Sequence, residues 1–120
     1  MWTLFWDMHS GGCTKEEPYE KIYIEAPKKE AEVIFFNRFC HNPNRVTCTC
    51  CGEDYSIDES ETLEEACEYH RKNYWNELGQ KKELSVEEYM NLPNVLVISA
   101  NEIKPEERIG KLPEHGWVWV

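Results

Sequence analysis

The sequence predicts an α+β fold: a mixed or antiparallel sheet of about five strands, with two or three helices packed mainly on one face. Three observations carry that expectation. Tyr19 to Glu25 alternates Tyr19, Lys21, Tyr23 and Glu25 against Glu20, Ile22 and Ile24, the two-residue period of a half-buried strand. Two capping-box spacings, Thr62-x-x-Glu65 and Ser85-x-x-Glu88, announce helix starts. Val95-Leu96-Val97-Ile98 is a continuous apolar run, as in a strand covered on both faces.

The elements follow in order. Thr3-Leu4-Phe5-Trp6 is aromatic and strand-favouring, and the polar, Gly-containing stretch Asp7 to Gly12 turns the chain. The strand at Tyr19 to Glu25 pairs with this first one. Pro27 suits a first helical position, and Ala31, Ile34, Phe35 and Phe39 then recur at helical spacing. His41-Asn42-Pro43-Asn44 stops the helix. Arg45 to Thr49 reads as a short third strand, followed by a polar turn at Cys51 to Asp54. The second helix starts near Thr62, with a stripe of Leu63, Ala66, Cys67, His70, Tyr74 and Leu78, and Gly79 as its stop. Val86 to Asn91 is a helical turn that Pro93-Asn94 breaks. Asn101 to Gly116 reads as loop, and Trp117 to Val120 as a terminal strand.

Composition bounds the function. The chain has 120 residues, 23 Asp+Glu against 13 Lys+Arg, and a net charge of −10. Hydrophobic residues are 41% and five residues are Trp, so a core can form and disorder is excluded. The acidic balance disfavours phosphate-held nucleic-acid binding and docking on an anionic membrane. No apolar stretch approaches the roughly 20 residues of a membrane span. No N-terminal segment has the order of a secretory signal. The expectation is one soluble, intracellular domain over residues 1–120.

Six cysteines in a reducing compartment point to metal ligands or core residues rather than disulfides. Cys48-x-x-Cys51-Gly52 can converge two thiolates on one ion, and Cys67-x-x-His70 offers two more ligands on one helix. Together they read C-x₂-C-x₁₅-C-x₂-H, a spacing class suited to a tetrahedral structural zinc site. His9, His41, Cys40 and Cys50 are alternative ligands. The competing reading of Cys67 and His70 is plain core packing. A nucleophilic cysteine is disfavoured, because carboxylates crowd the sequence after the cluster and no Lys or Arg occurs until Arg71. A zinc deaminase would need H-x-E and P-C-x-x-C, and neither is present. Asp7 and His9, at a strand end, are the polar pair that an enzyme reading would use.

Glu53, Asp54, Asp58, Glu59, Glu61, Glu64, Glu65 and Glu68 concentrate the negative charge. One reading is a solvated loop and outer helix face, with acids favourable at a helix N-terminus. The other is a partner-binding surface that competes with nucleic acid for a basic groove.

Phe5-Trp6-Asp7-Met8-His9-Ser10-Gly11-Gly12, Cys48-Thr49-Cys50-Cys51-Gly52-Glu53-Asp54-Tyr55-Ser56, Glu102 to Arg108 and the Trp117-Val118-Trp119-Val120 end span the chain. In these motifs it resembles a group of small bacteriophage-encoded proteins whose members carry no assigned activity. The resemblance implies a viral protein acting in a host bacterial cytoplasm, and no reaction. His9 and the three clustered cysteines lie inside the motifs; Cys13, Cys40 and Cys67 lie outside. The functional expectation is a non-enzymatic accessory protein that binds and inhibits or modulates a host protein. Its concrete form is an anti-defence, anti-CRISPR-like inhibitor acting through the acidic surface. The alternative is a small zinc-binding structural or interaction module.

Overall fold

The order of the sheet follows from which strands are apolar on both sides. In a computed structural model of the chain, which describes residues 1–7, 19–39, 43, 55–76 and 78–110, strand β1 (Trp2–Asp7) lies between two antiparallel partners. These are β2 (Lys21–Ile24) and β3 (Tyr55–Ser60). A later strand, Val95–Ile98, runs parallel to β2 and completes the order β3, β1, β2, Val95–Ile98. The sheet is therefore mixed, one of the two arrangements the sequence predicted, with four strands among the described residues.

Successive side chains on a strand point to opposite faces. Phe5, Ile22, Ile24 and Ile98 occupy one face, and helix α1 (Lys28–Phe39) lays Ala31, Ile34 and Phe35 on them. Leu4, Tyr23 and Val95 occupy the other face, where α2 (Leu63–Lys72) contributes Cys67 and α3 (Val86–Met90) contributes Tyr89. The helix layer expected mainly on one face is thus divided: α2 and α3 share a face and α1 takes the opposite one. The reason is visible in β1, whose Leu4 and Phe5 are both buried and point in opposite directions. Neither face can be left to water. Ala31, Ile34, Phe35 and Phe39 make the contacts their spacing predicted.

Four local expectations need correction. The second helix ends at Lys72 and does not continue to Gly79, because Asn73 closes it. The Asn73 backbone N–H and side-chain amide both donate to the Tyr69 carbonyl, at 3.1 and 2.8 Å. Tyr74 then begins a two-stranded ribbon, β4 (Tyr74–Trp75) with β5 (Lys81–Lys82). Leu78 is exposed in the connecting turn, where Asn76 Oδ1 accepts from the Leu78 and Gln80 N–H groups at 3.0 and 2.9 Å. Gly79 sits there with φ of 73°, a turn position rather than a helix stop.

Second, Tyr55–Ser60 is a strand although its carboxylates suggested a loop. Tyr55 and Ile57 pack against the α1-side core and hold it in place. Third, the stretch after Val95–Ile98 (now β6) is not plain loop. It forms 3₁₀ turns at Ala100–Glu102 and Pro105–Arg108 that clamp α1. Arg38 Nε donates to Glu107 Oε2 at 2.8 Å, and Arg108 pairs with Glu30. Fourth, β2 begins at Lys21 rather than Tyr19. The expected strands at 45–49 and 117–120, and the turns at 8–12 and 51–54, lie outside the described residues. Among those described, no helix is long and apolar enough to cross a membrane.

Two buried hydrogen bonds join the layers. Thr3 Oγ1 donates to the Ala26 carbonyl at 2.8 Å from a fully buried position. The Tyr23 and Tyr89 hydroxyls bond each other at 2.8 Å, joining β2 to α3 inside the second core. Burial pushes both phenols far above their ordinary range, so both stay protonated. Removing one hydroxyl strands the other in the core, which costs about 1–3 kcal/mol, whereas removing both removes the penalty with the bond. Tyr23→Phe and Tyr89→Phe should each lower the urea midpoint, and the double variant should be less destabilised than the two singles summed. Strict additivity in urea denaturation would mean that the two hydroxyls do not act as a pair.

Candidate functional site

Helix α2 carries most of the candidate residues that the structure describes, and it sorts them by side. Thr62 Oγ1 accepts from the Glu65 N–H at 3.2 Å, fixing the helix start that the T-x-x-E spacing predicted. From that start, the helical repeat turns Leu63, Ala66, Cys67 and His70 toward the sheet and Glu64, Glu65 and Glu68 toward solvent.

On the inner side, Cys67 is fully buried among Leu4, Tyr23, Leu84, Tyr89 and Val95. Its thiol lies 3.6 Å from the Glu64 carbonyl. Burial pushes this thiol up and the nearby Arg71 guanidinium partly offsets it, so Cys67 is held as a neutral thiol. That is the environment of a core cysteine. Arg71 itself is anchored by donating to the Leu84 carbonyl at 3.0 Å.

His70, one turn on, is half-buried. Its ring meets Trp6 edge-on at 4.6 Å between centroids, and Tyr69 at 5.3 Å. Burial, helped by the Lys21 ammonium and opposed by Glu20 and Asp58, lowers the imidazole to about 4. His70 is therefore neutral at physiological pH. It lines a cleft of about 610 Å³ between α2, β4 and the sheet. Tyr69, Tyr74 and Trp75 also line it, an aromatic density that the continuous-helix reading concealed.

The proposed zinc set is only half placed. Cys67 and His70 share the inner side of α2. Cys48 and Cys51, with the alternates His9, His41, Cys40 and Cys50, lie outside the described residues. Asp7 ends β1, and His9, the other member of that pair, lies outside the described residues. Among the described residues no three His, Cys, Asp or Glu side chains gather as a metal site.

The acidic run separates in space. Glu53 and Asp54 lie outside the described residues. Asp58 faces Leu4 across the β1–β3 ladder, on the α2 side of the sheet. Glu59 points the other way and accepts the Lys28 N–H at 2.7 Å, holding the first turn of α1. Glu61, Glu64, Glu65 and Glu68 are all exposed; Glu64, Glu65 and Glu68 share the outer side of α2, and Glu61 precedes the extended Thr62 cap, outside the helix. Lys72 ends the stripe, and its 2.8 Å hydrogen bond holds the Glu68 carboxyl below the usual range. Of the eight carboxylates in the run, three lie on the outer side of α2, Glu61 lies just ahead of it, Asp58 and Glu59 point to opposite faces of β3, and Glu53 and Asp54 lie outside the described residues.

The neutral His70 gives a signed pH dependence. Its folded pKa lies below the unfolded value near 6.5, so the unfolded chain takes up the proton first. Its contribution costs nothing above that value and grows as pH falls from about 6.5 to about 4. Because part of the ring faces solvent, the loss amounts to about 1–2 kcal/mol. Comparing the chain with His70→Asn by denaturation across this range should show that component vanish in the variant. An NMR titration of His70 with a midpoint near 6.5 would contradict the burial reading. No protein-family model, curated protein or solved structure matches this chain.

Proposed function

We propose that the protein is a non-enzymatic, phage-encoded accessory protein that acts in the host bacterial cytoplasm by binding and inhibiting a host protein. The target class is a nucleic-acid-handling or defence protein with a basic groove, of which a CRISPR effector is the concrete example. The observation that carries the reading is the exposed group of Glu64, Glu65 and Glu68 on the outer side of α2, with Glu61 exposed just ahead of the helix. The three helical carboxylates span about 6 Å of helix axis at a rise of ~1.5 Å per residue, one charge per roughly 3 Å. Duplex DNA presents one charge per about 1.7 Å of axis, so this short stretch carries about half that linear charge density. Such a face steers toward a basic groove and occupies it without entering the chemistry of the partner.

The net charge of −10 supports the same polarity at longer range. Glu59 is excluded from the binding face in this reading, since it is engaged by the start of α1. The competing use of these acids, stabilising the N-terminus of α2, applies to Glu64 and Glu65 in its first turn, and Glu68 is paired with Lys72.

Binding to candidate effectors should weaken as salt rises, and by about tenfold in a Glu61→Gln, Glu64→Gln, Glu65→Gln triple variant, as for complementary charges at an interface. Affinity indifferent to both changes would remove the acidic-face mechanism. Elemental analysis of the same preparation addresses the zinc-module alternative. One equivalent of zinc, lost together with structure on chelation, would replace the inhibitor reading with a metal-organised module.

A further inference from the structure

The cleft beside His70 holds two tryptophan–lysine pairs, each fixed by strand register. Trp6 and Lys21 stand directly opposite each other in the β1–β2 ladder, and Trp75 and Lys81 do the same in the β4–β5 ribbon. Residues directly opposite in an antiparallel ladder share a face. All four line the cleft. Trp6 and Lys21 come from the sheet, α2 supplies Tyr69 and His70 as a wall, and Trp75 with Lys81 comes from the ribbon.

The exposures are unequal in an informative way. Trp75 is 62% and Tyr69 68% exposed, so both rings are open to a ligand. The Lys21 side chain, by contrast, is only 13% exposed. Its ammonium has three donors, and among the described residues its recorded partner is Glu20 Oε1 at a long 3.4 Å. The other oxygen of that carboxylate accepts from Asn94 at 3.1 Å. Among the described residues, the lining has two ammonium groups and one carboxylate, Glu20, which is already engaged, while Asp58 stands near His70 without lining the cleft. The cleft is locally cationic in a protein of net charge −10.

We propose that this cleft binds a small planar aromatic anion, its ring against the open tryptophan and tyrosine faces and its acidic group at Lys21 and Lys81. The volume of about 610 Å³ falls in the range of small-molecule sites. Aromatic walls also suit a quaternary ammonium ion, but the shielded Lys21 charge repels one. A polyanionic strand is disfavoured differently. Continuing from the cleft around α2, it would meet Glu64, Glu65 and Glu68, whereas a small ligand stays within a Debye length of the two lysines. The ring-plus-anion chemistry is shared by nucleotides and aromatic carboxylates. The site is independent of the acidic stripe, which lies on the opposite side of the helix.

The test is calorimetric titration of the full chain at low salt with 5′-AMP, indole-3-acetate, adenosine, inorganic phosphate and choline. We expect at least one aromatic anion to bind saturably, the one preferred identifying the source of the acidic group. Adenosine and phosphate, each lacking half of the recognition, should bind about tenfold weaker or not at all. Trp75→Ala and Lys81→Gln, both at exposed positions, should each weaken that binding by about tenfold with an unchanged melting curve. Lys29→Gln on α1 should leave it as it is. Failure of both aromatic anions to bind would overturn the proposal. So would a preference for choline, or full affinity retained in the Trp75 and Lys81 variants.

Discussion

Burial of β2 on both faces is the constraint on which the rest of the structure depends. Ile22, Tyr23 and Ile24 are all fully buried, and alternation sends the isoleucines one way and the tyrosine the other. A strand in that position needs a neighbour on each edge and a cover on each face. β1 and β6 supply the edges, α1 one cover, and α2 with α3 the other. The Tyr23 hydroxyl adds a directional demand, because a buried phenol without a partner is costly. Tyr89 meets it, which fixes α3 over β2.

The same sheet positions both functional regions. The α2 helix is amphipathic, with Cys67 and His70 drawn toward the second core and carboxylates left in water. Because the inner side is occupied by packing, the outer side is free to be strongly charged without disturbing the fold. Ending the helix at Asn73 matters equally. It lets the chain turn into the β4–β5 ribbon, which brings Trp75 and Lys81 into one cleft with Trp6 and Lys21 of the sheet. One helix therefore separates an acidic outer face from a locally cationic, aromatic inner one.

Electrostatics inside the fold are organised by burial more than by pairing. His70 is neutral because its ring is buried against Trp6, with Lys21 reinforcing the effect. Cys67 is protonated because its surroundings are apolar. Exposed ion pairs such as Glu68–Lys72 add little to stability, as is usual for solvated charges. The Arg38–Glu107 and Arg108–Glu30 contacts play a different part. They tie the 3₁₀ turns after β6 back onto α1 and so close one side of the molecule.

Short-range signals in the sequence determined the class of fold, the face that α1 buries, the starts of α2 and α3 at Thr62 and Ser85, and the two-sided burial of Val95–Ile98. These depend on periodicity and capping within a few residues, which local chemistry sets. Tertiary structure decided what depends on distant partners. Tyr55–Ser60 is a strand because β1 offers it a ladder, although its carboxylates locally favour solvent. The α2 helix stops early because Asn73 caps it and Lys81–Lys82 gives Tyr74–Trp75 a strand to pair with. Only packing could show that Glu59 serves the start of α1 while Glu64, Glu65 and Glu68 share the outer side of α2. The register that sets Trp6 opposite Lys21, fifteen residues apart in the chain, has no local signature, although the sequence predicts the pairing of their strands. A residue's type and its near neighbours set its preference; which preference is satisfied is decided by the surface it meets.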